Sequence, residues 1–570
     1  MTRRNNPLWL AGIAVFSGLA PFSASATIPA TAELQRLHDV MTAPSIPTQV
    51  PDKIVPILPE AASIKGINDT QAETTYFTLN SLEIDGVTLY KPAKFLPIFK
   101  YDTGQRINVK RLYELVNQIT TTYRNDGYIL ARAIVPPQDI TAGHVKITVL
   151  EGYLNQVIVE GSGTDSKLIR AYADKLKGTP LHNDQLERYL LLMNDLPGIK
   201  ATSTLKPASV SGASNLIIKV EETKYSGSYG INNWGTRYVG PNQLEGEVTA
   251  NNLYATKQFG WHDKTRIRGV QSTDFTALRY LDLKHILPIF TEGTELDINV
   301  HQSISQPGYD LEQLNLDSST SGMSFEIRHP LKRSRRENLD WFAMFDWRDT
   351  TTNTAGTKLS SDHIRAFRTG LNWDQTDSSG ISNINVELSN GIGMFGASKK
   401  GDQQLSRTRG TGSGYTRLKA ELSRLQRLNK SWNFMVAATG QHATHSLLAG
   451  EEFGIGGENY GRGYDTSEIT GDSGFAAKAE LQINFPVGWQ HLDSWQLFGF
   501  YDVGVAYQRD REGSETNKPS TLASHGFGIR SKLGDSLSLD ITLAKPGTRG
   551  VTSAGGSKNP NLYVRMKNRF

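Results

Sequence analysis

The last nine residues, Leu562 to Phe570, alternate apolar with polar or charged side chains and stop on an aromatic carboxy-terminus. Successive side chains of a strand point to opposite faces. Leu562, Val564, Met566 and Phe570 are therefore placed for lipid, while Arg565, Lys567 and Arg569 are placed to line a wet interior. Asn568 breaks the apolar stripe close to the expected membrane interface.

The pattern recurs upstream. From Phe475 to Phe485 the odd positions are Phe, Ala, Ala, Leu, Ile and Phe, and the even ones include Lys478, Glu480, Gln482 and Asn484. The run Trp495 to Tyr507 sets Trp495, Leu497, Tyr501, Val503, Val505 and Tyr507 against Gln496 and Asp502. At a rise of about 3.3 Å per residue and a tilt of about 40°, such a run spans roughly 30 Å, the thickness of a bilayer between aromatic girdles. Leu339 to Trp347 repeats the design, with Asp340, Asp346 and Arg348 on the opposite face. A soluble β-sandwich also alternates. Aromatic residues flanking apolar stripes of this length favour a transmembrane antiparallel β-barrel.

Arg3 and Arg4, an apolar stretch from Leu8 to Phe22 and the small-x-small Ala24-Ser25-Ala26 read as a secretory leader, residues 1–26. Its removal takes the formal net charge from +4 to +2, which gives no global argument for a nucleic-acid partner. Past the leader no stretch of about 18 apolar residues occurs, which argues against a helical inner-membrane protein and leaves the outer membrane open to a barrel. Cysteine is absent, so disulfides and thiolate metal sites are excluded. No His/Asp/Ser set, nucleotide loop or metal-ligand spacing stands out. Accordingly, no catalytic residue, cofactor or metal is expected.

Between leader and barrel the chain changes character three times. Within 27–43, Thr31 to Met41 places Leu34, Leu37, Val40 and Met41 on one face of a short helix. In 44–75, Pro44, Pro47, Pro51, Pro56 and Pro59 imply an irregular linker with an extended reach of roughly 100 Å. Two small α/β units follow, at 76–151 and 152–223, and they read as divergent copies. Phe77 to Gly86 aligns with Gly152 to Gly161, and His144 to Glu151 with Asn215 to Glu222. Val109 to Tyr123 has helical periodicity in the first, as do Ser166 to Leu176 and Asp184 to Met193 in the second. Residues 224–570 would form the barrel, with about 22 residues per strand and connection if there are sixteen strands; fourteen or eighteen fit the length equally well.

This order of helix, linker, two βααββ units and barrel resembles the two-partner secretion transporters, the TpsB branch of the Omp85 superfamily. The resemblance implies that the small units are POTRA domains. Arg124-Asn125-Asp126-Gly127-Tyr128, with Ala131 and Pro136, is similar to a stretch of the family's first POTRA domain. It also implies sixteen strands. Gly461-Arg462-Gly463-Tyr464, within a segment at about 451–473, resembles the superfamily's lid-loop motif. Phe500, Asp502 and Gly504 lie in a run similar to the strand motif whose aspartate receives that arginine. Strand parity independently puts Asp502 on the lumen side, where guanidinium and carboxylate can form two parallel bonds.

The resemblance implies a monomer in lipid of the outer membrane of a Gram-negative bacterium, with its POTRA domains in the periplasm. It would export one TpsA-type exoprotein, a large β-helical adhesin, haemolysin or contact-dependent inhibition toxin, without ATP. The client would dock through its amino-terminal secretion domain. The alternative reading is an Omp85-type insertase that assembles other barrels; a plain porin leaves residues 31–224 without a purpose. A pore of sixteen strands leaks unless blocked, and the Leu34, Leu37, Val40, Met41 helix is the expected plug. Deleting residues 31–41 should therefore raise single-channel conductance in planar bilayers. Unchanged conductance would assign closure to the lid loop alone.

Overall fold

The computed structural model describes residues 69–162, 166–177, 180–254, 260–407, 412–489, 492–509, 519–534 and 536–570. The expected plug helix and most of the expected linker lie outside these residues. The described part has two small α/β units followed by one closed barrel.

The first unit opens earlier than the sequence suggests. Helix α1 (Asp69–Thr74) occupies the end of the segment read as linker, and Ala72 enters the unit's core. The prolines that break the segment stop at Pro59, so nothing there prevents a helical turn. Strands β1 (Tyr76–Thr78) and β3 (Arg106–Asn108) pair antiparallel, with the short α2 (Leu96–Phe99) between them. Helix α3 (Val109–Asn125) is capped by Asn108 and buries Leu112, Leu115, Val116, Ile119 and Tyr123, one face at helical spacing. That face covers a sheet of β2 (Ser81–Asp85), β5 (His144–Leu150) and β4 (Arg132–Ile134), with β2 and β5 parallel.

The second unit repeats this sheet in β6 (Tyr153–Gly161), β8 (Ala213–Glu222) and β7 (Ile199–Pro207), order β6-β8-β7. Helices α4 (Lys167–Lys175) and α5 (Asn183–Asp195) cover it. The Arg124 to Tyr128 stretch forms the joint between the units. Gly127 (φ +93°) presses against the His182 ring, where a Cβ would come within 2.3 Å of Nε2. The Asn183 amide donates to the Gly127 carbonyl at 2.8 Å, and Tyr128 meets His182 edge-on.

Sixteen antiparallel strands close the barrel. They begin with β9 (Tyr225–Asn232), β10 (Gln243–Asn251), β11 (Lys264–Ser272), β12 (Leu278–Pro288) and β13 (Glu295–Ser305). The long β14 (Leu316–Arg333), β15 (Glu337–Thr354) and β16 (Thr357–Thr376) follow, then β17 (Gly380–Gly391), β18 (Thr416–Arg427) and β19 (Trp432–Ala443). A small hairpin, β20 (Phe453–Ile455) with β21 (Ile469–Gly471), stands outside the wall. The wall resumes with β22 (Ser473–Trp489), β23 (Leu492–Tyr507), β24 (Ser520–Leu533), β25 (Leu537–Pro546) and β26 (Asn561–Arg569). β26 closes on β9 through five register pairs, Arg565–Asn232 to Arg569–Ser228. Asn233 lengthens this seam by donating to the Leu562 carbonyl and accepting from the Val564 amide.

Parity holds along these strands. Phe475, Leu481, Tyr501 and Tyr507 are exposed on the outer face, whereas Glu480, Gln482, Gln496 and Asp502 are buried inside. Trp347 is an instructive exception: Arg365 stacks on its ring at 3.8 Å and pairs with Asp349 at 2.6 Å, so this outer-face position carries a charged cluster. β15 and β16 continue past the apolar band, and the rule of an apolar outer face ends with the lipid.

The second α/β unit docks on the barrel's turns. Asp195 receives Arg333 through two bonds of 2.7 Å, and Lys175 pairs with Glu292 at 2.8 Å. Ser166, the cap of α4, already accepts from the Ile169 amide, so its hydroxyl hydrogen goes to His262 Nε2 at 2.8 Å. Burial pushes the His262 imidazole down to about 4, which keeps it neutral and able to accept.

Glu151 ends the first unit as its main polar anchor. Its carboxylate accepts from the Thr88 amide (2.7 Å), the Leu89 amide (2.9 Å), the Tyr123 hydroxyl (2.7 Å) and the Thr88 hydroxyl. Burial pushes its pKa up, but these bonds more than reverse that and leave it below the ordinary value. A depressed carboxylate stabilises the fold above its unfolded-state pKa and loses that contribution as pH falls through the folded-state value. Glu151→Gln should cost about 2 kcal/mol near pH 7, with the difference shrinking in acid. Hydrogen exchange at the Leu115 and Ile119 amides would report it.

Candidate functional site: a loop anchored inside the barrel

A sixteen-stranded wall encloses more space than its own side chains fill. Here chain from the β19–β22 connection enters that space. The β20–β21 hairpin buries Phe453, Ile455 and Ile469 against Ala476, Ala506 and Leu522 of the wall. Gly504 makes room for it, since a Cβ there would lie 2.7 Å from the Ile455 side chain.

The loop between the hairpin strands carries Arg462 to Asp502. Nε donates to one Asp502 oxygen at 3.0 Å and Nη2 to the other at 2.8 Å. The Arg462 and Gly461 amides add bonds of 3.0 and 3.2 Å to the same carboxylate. The guanidinium lies 3.5 Å over the Phe500 ring. Its remaining nitrogen donates to Glu480 at 2.6 Å. Glu480 also receives Arg530 at 2.6 Å, and Arg530 stacks on Phe498 at 3.8 Å. Arg462, Asp502 and Glu480 are all buried.

Glycine geometry allows the approach. Gly461 has φ +88°, and a Cβ on Gly463 would lie 2.7 Å from the Lys545–Pro546 backbone. The Gly461 position is thus a turn in the left-handed region. Tyr464 is fully buried, with its hydroxyl 3.0 and 3.1 Å from the Ala523 and Arg549 carbonyls. Arg565 joins the loop by pairing with Glu458. Lys567 and Arg569 share its face of β26 and, among the described residues, make no ion pair with this loop.

The sequence reading misses four acidic partners, Glu480, Glu458, Glu451 and Asp472. Glu480 stands on the polar face of β22, and its parity was the available signal; what parity lacks is depth. Glu458 lies within the loop motif but has no sequence mark of its own. The largest omission is the root of the loop, where Glu451 is fully buried and accepts from Arg368 at 2.6 and 3.1 Å and from Arg417 at 2.6 Å. Arg348 donates to the adjacent Gly450 carbonyl at 3.3 Å. On the returning side Asp472 receives Arg407 and the Leu447 amide. Arg348, Arg368 and Arg417 come from three different strands and Arg407 from the β17–β18 connection, so spacing could not have joined them.

The haemolysin secretion/activation protein family ShlB/FhaC/HecB matches residues 212–531, and the ShlB-type POTRA domain matches 77–152. The chain belongs to the ShlB/FhaC/HecB family. The Heme/hemopexin transporter protein HuxB of Haemophilus influenzae (strain 86-028NP) is 26% identical over 80% of this chain and 81% of its own. Outer membrane transporter CdiB of Escherichia coli O6:K15:H31 is 24% identical over 75% of this chain and 71% of its own. Among solved structures, CdiB from Escherichia coli superposes with a TM-score of 0.69 at 21% identity, covering 95% of this chain and 98% of that one. BamA from Haemophilus ducreyi, at 14% identity and TM-score 0.52, covers 87% and 100%. Membership makes this a two-partner secretion transporter of the TpsB type, an outer-membrane barrel with periplasmic POTRA structure that translocates an exoprotein.

Removing either Arg462 or Asp502 leaves its partner's charge buried, at a cost of about 3 kcal/mol. Arg462→Ala and Asp502→Ala should each impair secretion while the barrel stays inserted and heat-modifiable on gels. The double variant should be no worse than the poorer single. Strictly additive losses in a secretion-rate cycle would return Arg462 to an ordinary loop arginine.

Proposed function

We propose that this transporter, as a monomer, exports one large β-helical exoprotein of the adhesin, haemolysin or contact-dependent inhibition class. Recognition is placed in the POTRA pair, with the lid loop held by Arg462, Asp502 and Glu480 as the closing element. The observation that carries the reading is a lumen occupied by the chain's own loop on charge-assisted bonds, in a barrel whose mouth is covered by an α/β unit. Loop and client compete for one space, and bonds of this kind exchange for bonds to a hydrated polypeptide more easily than an apolar seal does.

The route from POTRA domain to lumen has room for chain. A chamber of about 740 Å³ lies between α5 and the inner wall, lined on one side by Leu192, Asp195 and Leu196 and on the other by Glu295, Arg328 and Asp340. An extended segment of the client's amino-terminal domain, bound first on the POTRA sheets or helix grooves, would pass through it. Folding outside then makes return unfavourable, because apolar surface is buried there. The Leu34, Leu37, Val40, Met41 helix remains the proposed second closure, tethered so that it can leave the pore without detaching.

Residues 69–223, which keep α1 with Ala72 in the first unit's core, produced as a periplasmic fragment should bind the client's amino-terminal domain and slow its secretion by the intact transporter. Equal binding by a barrel lacking this region would move recognition into the lumen. Depletion of the full chain should remove one secreted protein and leave the outer-membrane proteome normal; general loss of barrels would support the insertase alternative.

A further inference from the structure

The outer face of β10–β13 carries a groove of about 530 Å³ whose side chains form a grid. Cross-strand register sets out its rows. Nearest the β11–β12 loop, Leu244, Gln271, Arg279 and Ile304 lie side by side. The next row is Gly246, Gly269, Leu281 and Gln302, and the third is Val248, Ile267, Leu283 and Val300. The β10–β11 turn faces the POTRA units through His262, so the β11–β12 loop is at the extracellular end. From outside inward the face therefore runs from amide and guanidinium, through a gap left by two opposed glycines, to a purely aliphatic band.

Two details point to an occupant. Gln302, in the row of the two glycines, is exposed on this face and lines the groove. On a face turned to lipid, hydrocarbon offers that amide no acceptor. Arg279 is held at the rim by two bonds to the Phe275 carbonyl, 3.2 and 2.9 Å, and remains exposed. The glycine floor is open rather than tightly packed: a Cβ on Gly246 would meet nothing within 4 Å, and one on Gly269 only the Tyr280 carbonyl at 3.8 Å.

We propose that this groove binds one phosphorylated, multi-acylated glycolipid of the outer leaflet, of the lipid A type. Its phosphate pairs with Arg279, an ester or hydroxyl oxygen accepts from Gln302, and one acyl chain lies over Gly246 and Gly269. The grid has the polarity of such a molecule in the order and direction that the outer leaflet imposes. Outer-leaflet position and the paired demand for an anion and an acceptor favour it over an inner-leaflet phospholipid.

Full-length protein in dodecyl maltoside micelles, titrated with purified bisphosphorylated lipid A and observed by native mass spectrometry, should take up one molecule tightly. Arg279→Gln and Gly269→Leu should each lower that occupancy about tenfold. Gly246→Leu is the second groove-filling variant, since its added side chain meets open space. Heat-modifiable migration confirms that each barrel is intact. Equal retention of lipid A by the variants, or equal uptake of phosphatidylglycerol by the native chain, would overturn the proposal and reduce the groove to ordinary annular contact.

Discussion

A wide β-barrel whose inner face is polar cannot seal itself by hydrophobic packing, and every other feature of the lumen answers to that constraint. Alternation forces one face of each strand toward lipid and gives the other to water. The inner wall is then a surface of carboxylates, guanidiniums and amides. Anything that closes it must satisfy those groups rather than exclude them. The β19–β22 loop satisfies them from both ends: Arg462 enters between Asp502 and Glu480 at its tip, and Glu451 and Asp472 are gripped by Arg368, Arg417 and Arg407 at its root.

These contacts differ in polarity. At Arg462 the loop contributes the cation and the wall the anions; at Glu458 and at the root it contributes the anions. Reversed polarity makes the loop's register unambiguous, because sliding it along the lumen would set like charges together. The planar fork of arginine suits both sites, and at the tip it also stacks on Phe500. Root and tip together hold the β19–β22 connection, and apolar contacts add to them: the hairpin cluster around Phe453, Ile455 and Tyr464, Leu447 with Ala366 and Tyr415, Leu448 with Ile364 and Leu405, and Tyr460 against Leu425, Met435 and Ala437.

At the periplasmic end the same economy appears in a different form. The POTRA units are joined by backbone and ring contacts around Gly127 and His182, and the second is fixed to the barrel through Asp195, Lys175 and Ser166. These contacts are directional hydrogen bonds and ion pairs. With Ile129 and Leu130 of the first unit packed against the second unit's core, they orient the sheets relative to the mouth.

The sequence by itself determined the architecture. Period-two alternation in Phe475–Phe485, Trp495–Tyr507 and Leu562–Phe570 identified wall strands because parity is a local property of the chain, and helical spacing located α3, α4 and α5 for the same reason. Parity also placed Asp502 in the lumen, and motif resemblance put Arg462 beside it. Strand count came from the resemblance, since length divides as readily by fourteen or eighteen. Only the tertiary structure decided which lumen charges meet. Glu480, Arg530 and the arginines around Glu451 reach one another across strands separated by tens of residues, at depths set by barrel shear, which leaves no mark on any short stretch of sequence. Helix α1 was hidden for a related reason: Ala72 becomes a core residue only once β3 and α3 have folded over it.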